Sequence, residues 1–164
     1  MASTVSPLAP SAFPTLPAVE GVNFATAEAG IRYKGRTDVL LVAMPAGTHA
    51  AGVFTRSKCP SAPVDWCRNA LKGGSIRGLI VNSGNANAAT GQQGLDNARA
   101  CCAAVAAGGK VAVEEVLPFS TGVIAEQLNI EPVARAIPDL VDELADDHWL
   151  SAAEAIMTTD TLPK

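Results

Sequence analysis

The apolar residues of this chain occur in short runs that Gly and Pro residues separate, so the chain is divided into many elements of modest length. The strand-like runs lie over 38–43, 51–55, 78–81 and 111–119. Turn residues at 45–47 predict that the first two strands form a hairpin. Helices are predicted over 66–71, 96–107 with Asp96 or Asn97 as its cap, 130–144 with an interruption at Pro138, and 149–157. Strands come first and mix with helices later, an order that predicts an α+β fold, a layered α/β arrangement.

Size and hydrophobicity predict one domain. The 164 residues are 48% hydrophobic, which is enough to bury a sizeable core. Only 4% are aromatic, so that core must consist largely of Ala, Val, Leu and Ile. Residues 1–19 contain four prolines among Ser, Ala and Thr, a mixture that predicts a flexible arm. The single domain is therefore expected over 20–164.

The charge pattern argues against nucleic acid and membrane partners. The net charge is -4, and the 12 Lys and Arg residues are scattered along the chain. No apolar run approaches the ~20 residues that span a bilayer, and residues 1–19 do not have the composition of a secretory leader. The sequence thus predicts a cytoplasmic protein.

Residues for metal or triad chemistry are sparse. His49 and His148 are not accompanied by a Ser in a nucleophile elbow, and the acidic residues of 142–147 are typical of a solvated helix end. The four cysteines form no C-x-x-C pair and are expected to be reduced packing residues. We therefore predict neither a metal site nor a resident cofactor.

The Asn- and Gly-rich stretch over 82–91 follows a predicted strand and precedes a helix. Its Gly spacing is too long for a phosphate-binding loop and no Lys follows, so nucleotide binding is not predicted. Two interpretations stay open. The asparagines satisfy the backbone of a turn, or they shape a binding site.

Ser120, Thr121 and Gly122 are predicted to lie at a strand end, where glycine lets the backbone approach a ligand. The N–H of Gly122, with the hydroxyl or N–H of Thr121, could then hold a developing oxyanion. An ordinary Ser/Thr turn is the competing interpretation.

Five motifs in register resemble the ornithine acetyltransferase family of arginine biosynthesis. They are Ala-Gly-Val-Phe-Thr-Arg at 51–56, Ala-Pro-Val at 62–64, the stretch 82–91, Ser-Thr-Gly-Val-Ile at 120–124 and the end at 156–164. The resemblance covers about residues 20–164. It implies an Ntn-like self-cleaving acetyltransferase architecture, with mixed sheets and helices outside them. This chain resembles the α part of a precursor that cleaves itself at an Ala-Thr bond, and the implied partner is the β chain in an α2β2 heterotetramer.

The resemblance also implies a reaction. The N-terminal Thr of the β chain takes an acetyl group from N2-acetyl-L-ornithine, releases L-ornithine and passes the acetyl group to L-glutamate, which gives N-acetyl-L-glutamate. A free terminal amine, with an unperturbed pKa near ~8, can deprotonate that hydroxyl without a histidine. Thr121 and Gly122 match the family's oxyanion-hole pair, and Thr159 matches a substrate-binding threonine. Some members also use acetyl-CoA as a co-substrate, and the sequence leaves that open.

Two features of the sequence depart from the family pattern. The family commonly has Gly after Ser-Thr-Gly-Val-Ile, whereas this chain has Ala125, which predicts that the turn there avoids the positive φ that glycine tolerates. The family's cleavage threonine lies in a Gly- and Met-rich segment beyond Thr-Thr-Asp-Thr, and the given sequence ends at Lys164. The alternative hypothesis is therefore a catalytically inactive scaffold that binds its partner.

Overall fold

A computed structural model describes residues 9–163, which form a four-stranded mixed sheet with helices on both faces. The first eight residues of the predicted arm and Lys164 lie outside the described residues. The strands are β1 (Asn23–Ala27), β2 (Val39–Ala43), β3 (Gly78–Asn85) and β4 (Val116–Val123). The helices are α1 (Ala62–Ala70), α2 (Gly91–Gly109), α3 (Glu131–Asp142) and α4 (Trp149–Ala155), and short 3-10 turns cover Leu71–Gly73 and Val113–Glu115. The predicted α+β class is confirmed.

The sheet order is β1-β2-β3-β4. The first two pairs are antiparallel, and β3 pairs with β4 in parallel through the crossover helix α2. Because parallel strands point the same way, the carboxyl ends of β3 and β4 lie at the same edge of the sheet. This edge holds the polar stretch 82–85 and the Ser-Thr-Gly motif side by side.

Alternation along β2 divides the core between the two faces of the sheet. Val39 and Leu41 belong to the larger cluster, which α2 and α3 cover, while Leu40 and Val42 belong to a cluster that includes residues of α4. Helix α1 packs against β4 and α2. The buried members of the larger cluster are aliphatic residues and cysteines, as the low aromatic content predicts.

The predicted hairpin is wrong. Strand β2 pairs with β1 and β3, and residues 51–55 form no strand. Val53 is fully exposed, whereas Arg68 of α1 lies over the Phe54 ring and donates a hydrogen bond to the Thr55 carbonyl. Side-chain contacts with a helix, rather than a strand partner, hold this segment. Strand β1 was not predicted, because its short run of mixed residues gives only a weak signal.

Helix α2 begins at Gly91, well before the predicted caps Asp96 and Asn97. The start of the helix was not predicted because two glycines lie in its first turn, and glycine is a poor helix former. Gly94 is nevertheless required, because an added Cβ would lie 1.9 Å from the Thr90 hydroxyl oxygen. Helix α3 also runs through Pro138 without the predicted interruption.

Strand β4 begins later and ends later than predicted. Residues 113–115 form a 3-10 turn, and the strand continues to Val123. Ser120, Thr121 and Gly122 are therefore strand residues in register with β3, not residues that follow a strand end.

Within the described residues, none of the helices has the length and apolar content needed to cross a membrane.

Candidate functional site

A cavity of about 370 Å³, called here the polar pocket, opens beside the carboxyl ends of β3 and β4. It is lined by Arg32, Tyr33, Arg36, Gly84, Thr121, Gly122, Val123, Thr158 and Thr159. Thr121, Gly122 and Thr159, the three residues singled out in the sequence, thus line one cavity although Thr159 comes from the segment after α4. Their catalytic and binding roles stay predictions.

The backbones of β3 and β4 touch at Gly122. An added Cβ on this residue would lie 2.3 Å from the carbonyl carbon of Gly84 and 2.6 Å from the Asn85 nitrogen. Gly122 also has φ +137°, a conformation that residues with a side chain rarely adopt. The ladder is irregular here, since Asn85 is in register with both Thr121 and Val123. Such bulges re-aim backbone groups and are frequent next to active sites.

A second cavity of about 510 Å³, the apolar hollow, lies on the sheet face that carries α4. Its walls are mainly apolar and come from Leu40, Val42, Pro63, Val64, Leu79, Val81, Phe119 and Ile156, and Ser61 and Ser120 line it as well. Thr121 lines this hollow as well as the polar pocket. The threonine therefore lies where the polar pocket meets the apolar hollow.

The asparagines of 82–91 are buried and hydrogen-bonded. Asn87 is 0% exposed, and its side chain donates to the Gly94 carbonyl at 2.9 Å and accepts from the Thr90 hydroxyl at 2.9 Å. Asn85 accepts from the Asn87 N–H at 2.7 Å and donates to the Glu126 carbonyl at 3.1 Å. The first interpretation is confirmed, because the side chains satisfy local backbone groups, and Asn85 also connects β3 to the segment that follows β4. A role of these asparagines in shaping a binding site stays a prediction.

The cationic wall of the polar pocket was not predicted. Arg32 forms an ion pair with Glu126 at 2.6 Å, and its guanidinium lies 5.8 Å from the centre of the Tyr33 ring. Hydrogen bonding to the Tyr33 side chain, and then to Glu126, raises the pKa of Arg32 further, so it stays charged. Arg36 donates to the Met157 carbonyl, which connects the pocket wall to the segment holding Thr159. No sequence motif marks these residues.

Nucleophilic and metal-binding side chains are sparse around the site. The described residues that line the polar pocket include neither Cys nor His. Burial raises the pKa of the Cys67 and Cys101 thiols to about 11, and only Cys59 of the four free cysteines is exposed. Over residues 9–163, no three His, Cys, Asp or Glu side chains lie close enough together to hold a metal ion.

The positive φ of Ala125 corrects the expectation for the turn after Ile124. Ala125 has φ +61°, whereas the sequence predicted that a residue with a side chain at this position would avoid positive φ. Its N–H donates to the Ala88 carbonyl at 2.8 Å. The turn therefore keeps the conformation that glycine favours, with a side chain in place.

Comparison with known proteins identifies relatives along nearly the whole chain. Residues 23–164 match the ArgJ family. The chain is 52% identical over 164 residues to the arginine biosynthesis bifunctional protein ArgJ of Mesorhizobium japonicum, and 52% identical over 164 residues to that of Bradyrhizobium diazoefficiens. Each match covers 100% of this chain but 40% of the relative, so the chain spans about 40% of the length of these curated relatives.

Two crystal structures share the fold. Ornithine acetyltransferase of Mycobacterium tuberculosis, complexed with ornithine, superimposes with a TM-score of 0.81 at 36% identity, over 87% of this chain and 78% of that chain. The arginine biosynthesis bifunctional protein of Bacillus halodurans superimposes with a TM-score of 0.78 at 30% identity, over 87% of this chain and 75% of that chain.

Proposed function

The chain belongs to the ArgJ family, and from that premise we propose that it is the α part of an ornithine acetyltransferase of arginine biosynthesis. The proposed reaction moves an acetyl group from N2-acetyl-L-ornithine to L-glutamate and gives L-ornithine and N-acetyl-L-glutamate. The observation that carries the proposal is the polar pocket, where Thr121, Gly122 and Thr159 lie beside a cationic wall.

Thr121 and Gly122 are proposed as the oxyanion hole. Acyl transfer passes through a tetrahedral intermediate whose oxygen becomes negative, and preorganised donors stabilise that charge by about 3 kcal/mol each. Backbone N–H groups at the irregular part of the β3–β4 ladder, and the Thr121 hydroxyl, are donors of the required kind. No titrating side chain is needed for this part of catalysis.

The cationic wall suits the substrates that we propose. Acetylornithine and glutamate both carry an α-carboxylate, and guanidinium groups recognise carboxylates by charge and by paired N–H donors. Arg32 and Arg36 supply that charge, while Thr158 and Thr159 add hydroxyl groups to the pocket wall. Thr159 is the proposed substrate-binding threonine.

The nucleophile is proposed to come from another polypeptide, the β chain of the same precursor, through its N-terminal Thr. The Thr hydroxyl attacks the acetyl carbon, its proton passes through the terminal amine to the leaving nitrogen, and ornithine departs. The amine of glutamate then attacks the resulting ester, one of its protons passes through the terminal amine to the Thr oxygen, and the C–O bond breaks to release N-acetyl-L-glutamate and the Thr hydroxyl. The apolar hollow beside Thr121 offers a surface on which such a chain could pack, in an assembly that we propose to be α2β2.

Coexpression of this chain with its proposed β chain tests the assignment, with acetyl transfer from N2-acetylornithine to glutamate as the assay. Thr121→Ala removes the hydroxyl proposed as a donor and is expected to lower kcat by about 100-fold, the scale of losing one oxyanion donor. Thr159→Ala is expected to raise KM, because it removes a contact with bound substrate. Thr48→Ala is the matched control, since the Thr48 hydroxyl donates to the Pro45 carbonyl in a turn outside the pocket.

Three results would count against the proposal. Full activity in both pocket variants would remove the assigned roles. Equal losses in the Thr48 control would indicate a general effect on folding. A correctly assembled complex that transfers no acetyl group would instead favour the inactive scaffold.

A further inference from the structure

Asn82 lies directly opposite Ser120 in the parallel ladder, one residue before the position that faces Thr121. The Asn82 side chain is 5% exposed, so its amide must find partners within the protein. Asn82 and Ser83 are the last two buried side chains of β3 before the strands touch at Gly84 and Gly122. Ser83 lies between, but its buried hydroxyl makes no hydrogen bond among the described residues.

The amide of Asn82 spans the irregular part of the ladder. Its oxygen accepts a hydrogen bond from the Ser120 hydroxyl at 2.6 Å, and its nitrogen donates to the Asn85 carbonyl at 2.8 Å. One contact lies just before the Thr121–Gly122 pair on β4, and the other lies just beyond the glycine contact on β3. A single side chain therefore connects the two strands around the proposed oxyanion hole.

Interlocking side chains cannot hold the two strands in register at this point. Gly84 and Gly122 have no side chains to interlock, and their backbones meet directly. Hydrogen bonds must then define the geometry, and beyond the glycines the Ala86 N–H donates to the Val123 carbonyl at 2.8 Å. Before the glycines, the side-chain hydrogen bond between Asn82 and Ser120 reinforces the last regular pair of the backbone ladder.

We propose that Asn82 and Ser120 are positioning residues for the Thr121–Gly122 donor pair. This inference rests on the proposed function, because it assigns a role within the same site. Neither residue need touch substrate. Their hydrogen bond holds the β4 backbone so that the donors meet the oxyanion, which forms only in the transition state. Misplacement by about 1 Å is enough to cost up to about 100-fold in rate.

The test uses the complex of this chain with its proposed β chain. We expect Ser120→Ala and Asn82→Ala each to lower kcat by about 10- to 100-fold, with KM within about 2-fold of the unmodified value, because the lost interaction acts in the transition state. Ser120→Ala removes one hydroxyl from a half-buried site and is the gentler change should Asn82→Ala fail to fold.

Two matched controls separate positioning from stability. Asn97 is also buried, and its side chain donates to the Leu128 carbonyl at 2.9 Å from within α2. The Ser75 hydroxyl donates to Glu115 at 3.3 Å before β3 begins. Asn97→Ala and Ser75→Ala should lower stability while kcat of the folded complex stays within about 2-fold. An unchanged kcat in folded Ser120→Ala, or equal losses in the controls, would overturn the inference.

Hydrogen exchange provides a readout besides activity. In the same complex, Ser120→Ala and Asn82→Ala should speed amide exchange in a peptide covering 119–126 by at least about 10-fold, whereas Asn97→Ala should not. Unchanged exchange in this peptide would overturn the inference. An unmodified complex without transferase activity would refute the proposed function, and exchange would still decide whether the Asn82–Ser120 pair holds the segment.

Discussion

Replacing Ala125 by glycine should stabilise the protein, although glycine usually destabilises. Ala125 has φ +61°, and a left-handed backbone costs a residue with a Cβ roughly 1–2 kcal/mol. Glycine removes that cost but loses more entropy on folding, roughly 0.5–1 kcal/mol. Ala125 is exposed, so no packing is lost, and the backbone hydrogen bond to Ala88 is retained. With the middle of each range, the expected net gain is about 0.75 kcal/mol.

The same substitution in a helix should have the opposite sign. Ala103 is exposed in the middle of α2, where glycine costs about 1 kcal/mol relative to alanine. For a chain of 164 residues, 1 kcal/mol corresponds to a shift of about 2–4 °C in Tm. Calorimetry should therefore show a higher Tm for Ala125→Gly than for the unmodified protein, and a lower Tm for Ala103→Gly. If both variants lower Tm alike, the positive φ at 125 and the reasoning from it are wrong.

Three further changes test other parts of the structure. Gly122→Ala should abolish detectable acetyl transfer and lower Tm, because the added Cβ would collide with the Gly84 carbonyl carbon. A Tm equal to that of the unmodified protein would contradict that contact. Leu140→Ala should reduce the free energy of unfolding by about 3 kcal/mol, because Leu140 is 1% exposed in the main core, and chemical denaturation measures this. At pH 8 a thiol reagent should modify Cys59 alone in the folded protein. Burial raises the pKa of Cys67 from 9.0 to about 11, so the stability associated with this thiol is present below pH 9 and is lost as the pH rises towards 11, with the pH dependence of unfolding as the measurement.

Apolar patterning predicted the elements whose residues themselves provide the core. Strand β2 and the start of β3 were found because buried aliphatic runs form the middle of the sheet. Strand β1 depends on contacts with residues far along the chain. The ring centroids of Phe24 and Trp149 of α4 lie 4.4 Å apart, and the Phe24 backbone exchanges hydrogen bonds with the backbone of Ala145. Neither partner is near it in sequence. An edge strand held in this way leaves little local signal.

The sequence likewise predicted some residues of the candidate site and missed others. Residue types and the family resemblance pointed to Thr121, Gly122 and Thr159, whereas Arg32 and Arg36 belong to a connection between β1 and β2 that has no motif. That connection is held by the buried carboxylate of Asp38, which accepts hydrogen bonds from the N–H groups of Ala29 and Ile31 at 2.7 and 2.6 Å. Its path across the sheet edge follows from the tertiary structure and could not be inferred from spacing.

The chemistry that this chain can supply is set by backbone geometry more than by acid or base side chains. The described residues that line the polar pocket contain no Asp, Glu, His or Cys. In the proposed reaction the general acid–base steps are therefore assigned to the terminal amine of the β chain. What remains is charge from two arginines and donors fixed by the contact between β3 and β4. In such a site the sensitive positions are those that let two backbones touch and those that hold them there. Gly122 and Asn82 should therefore matter as much as Thr121, although Gly122 has no side chain and the Asn82 side chain would take no part in a bond-making step.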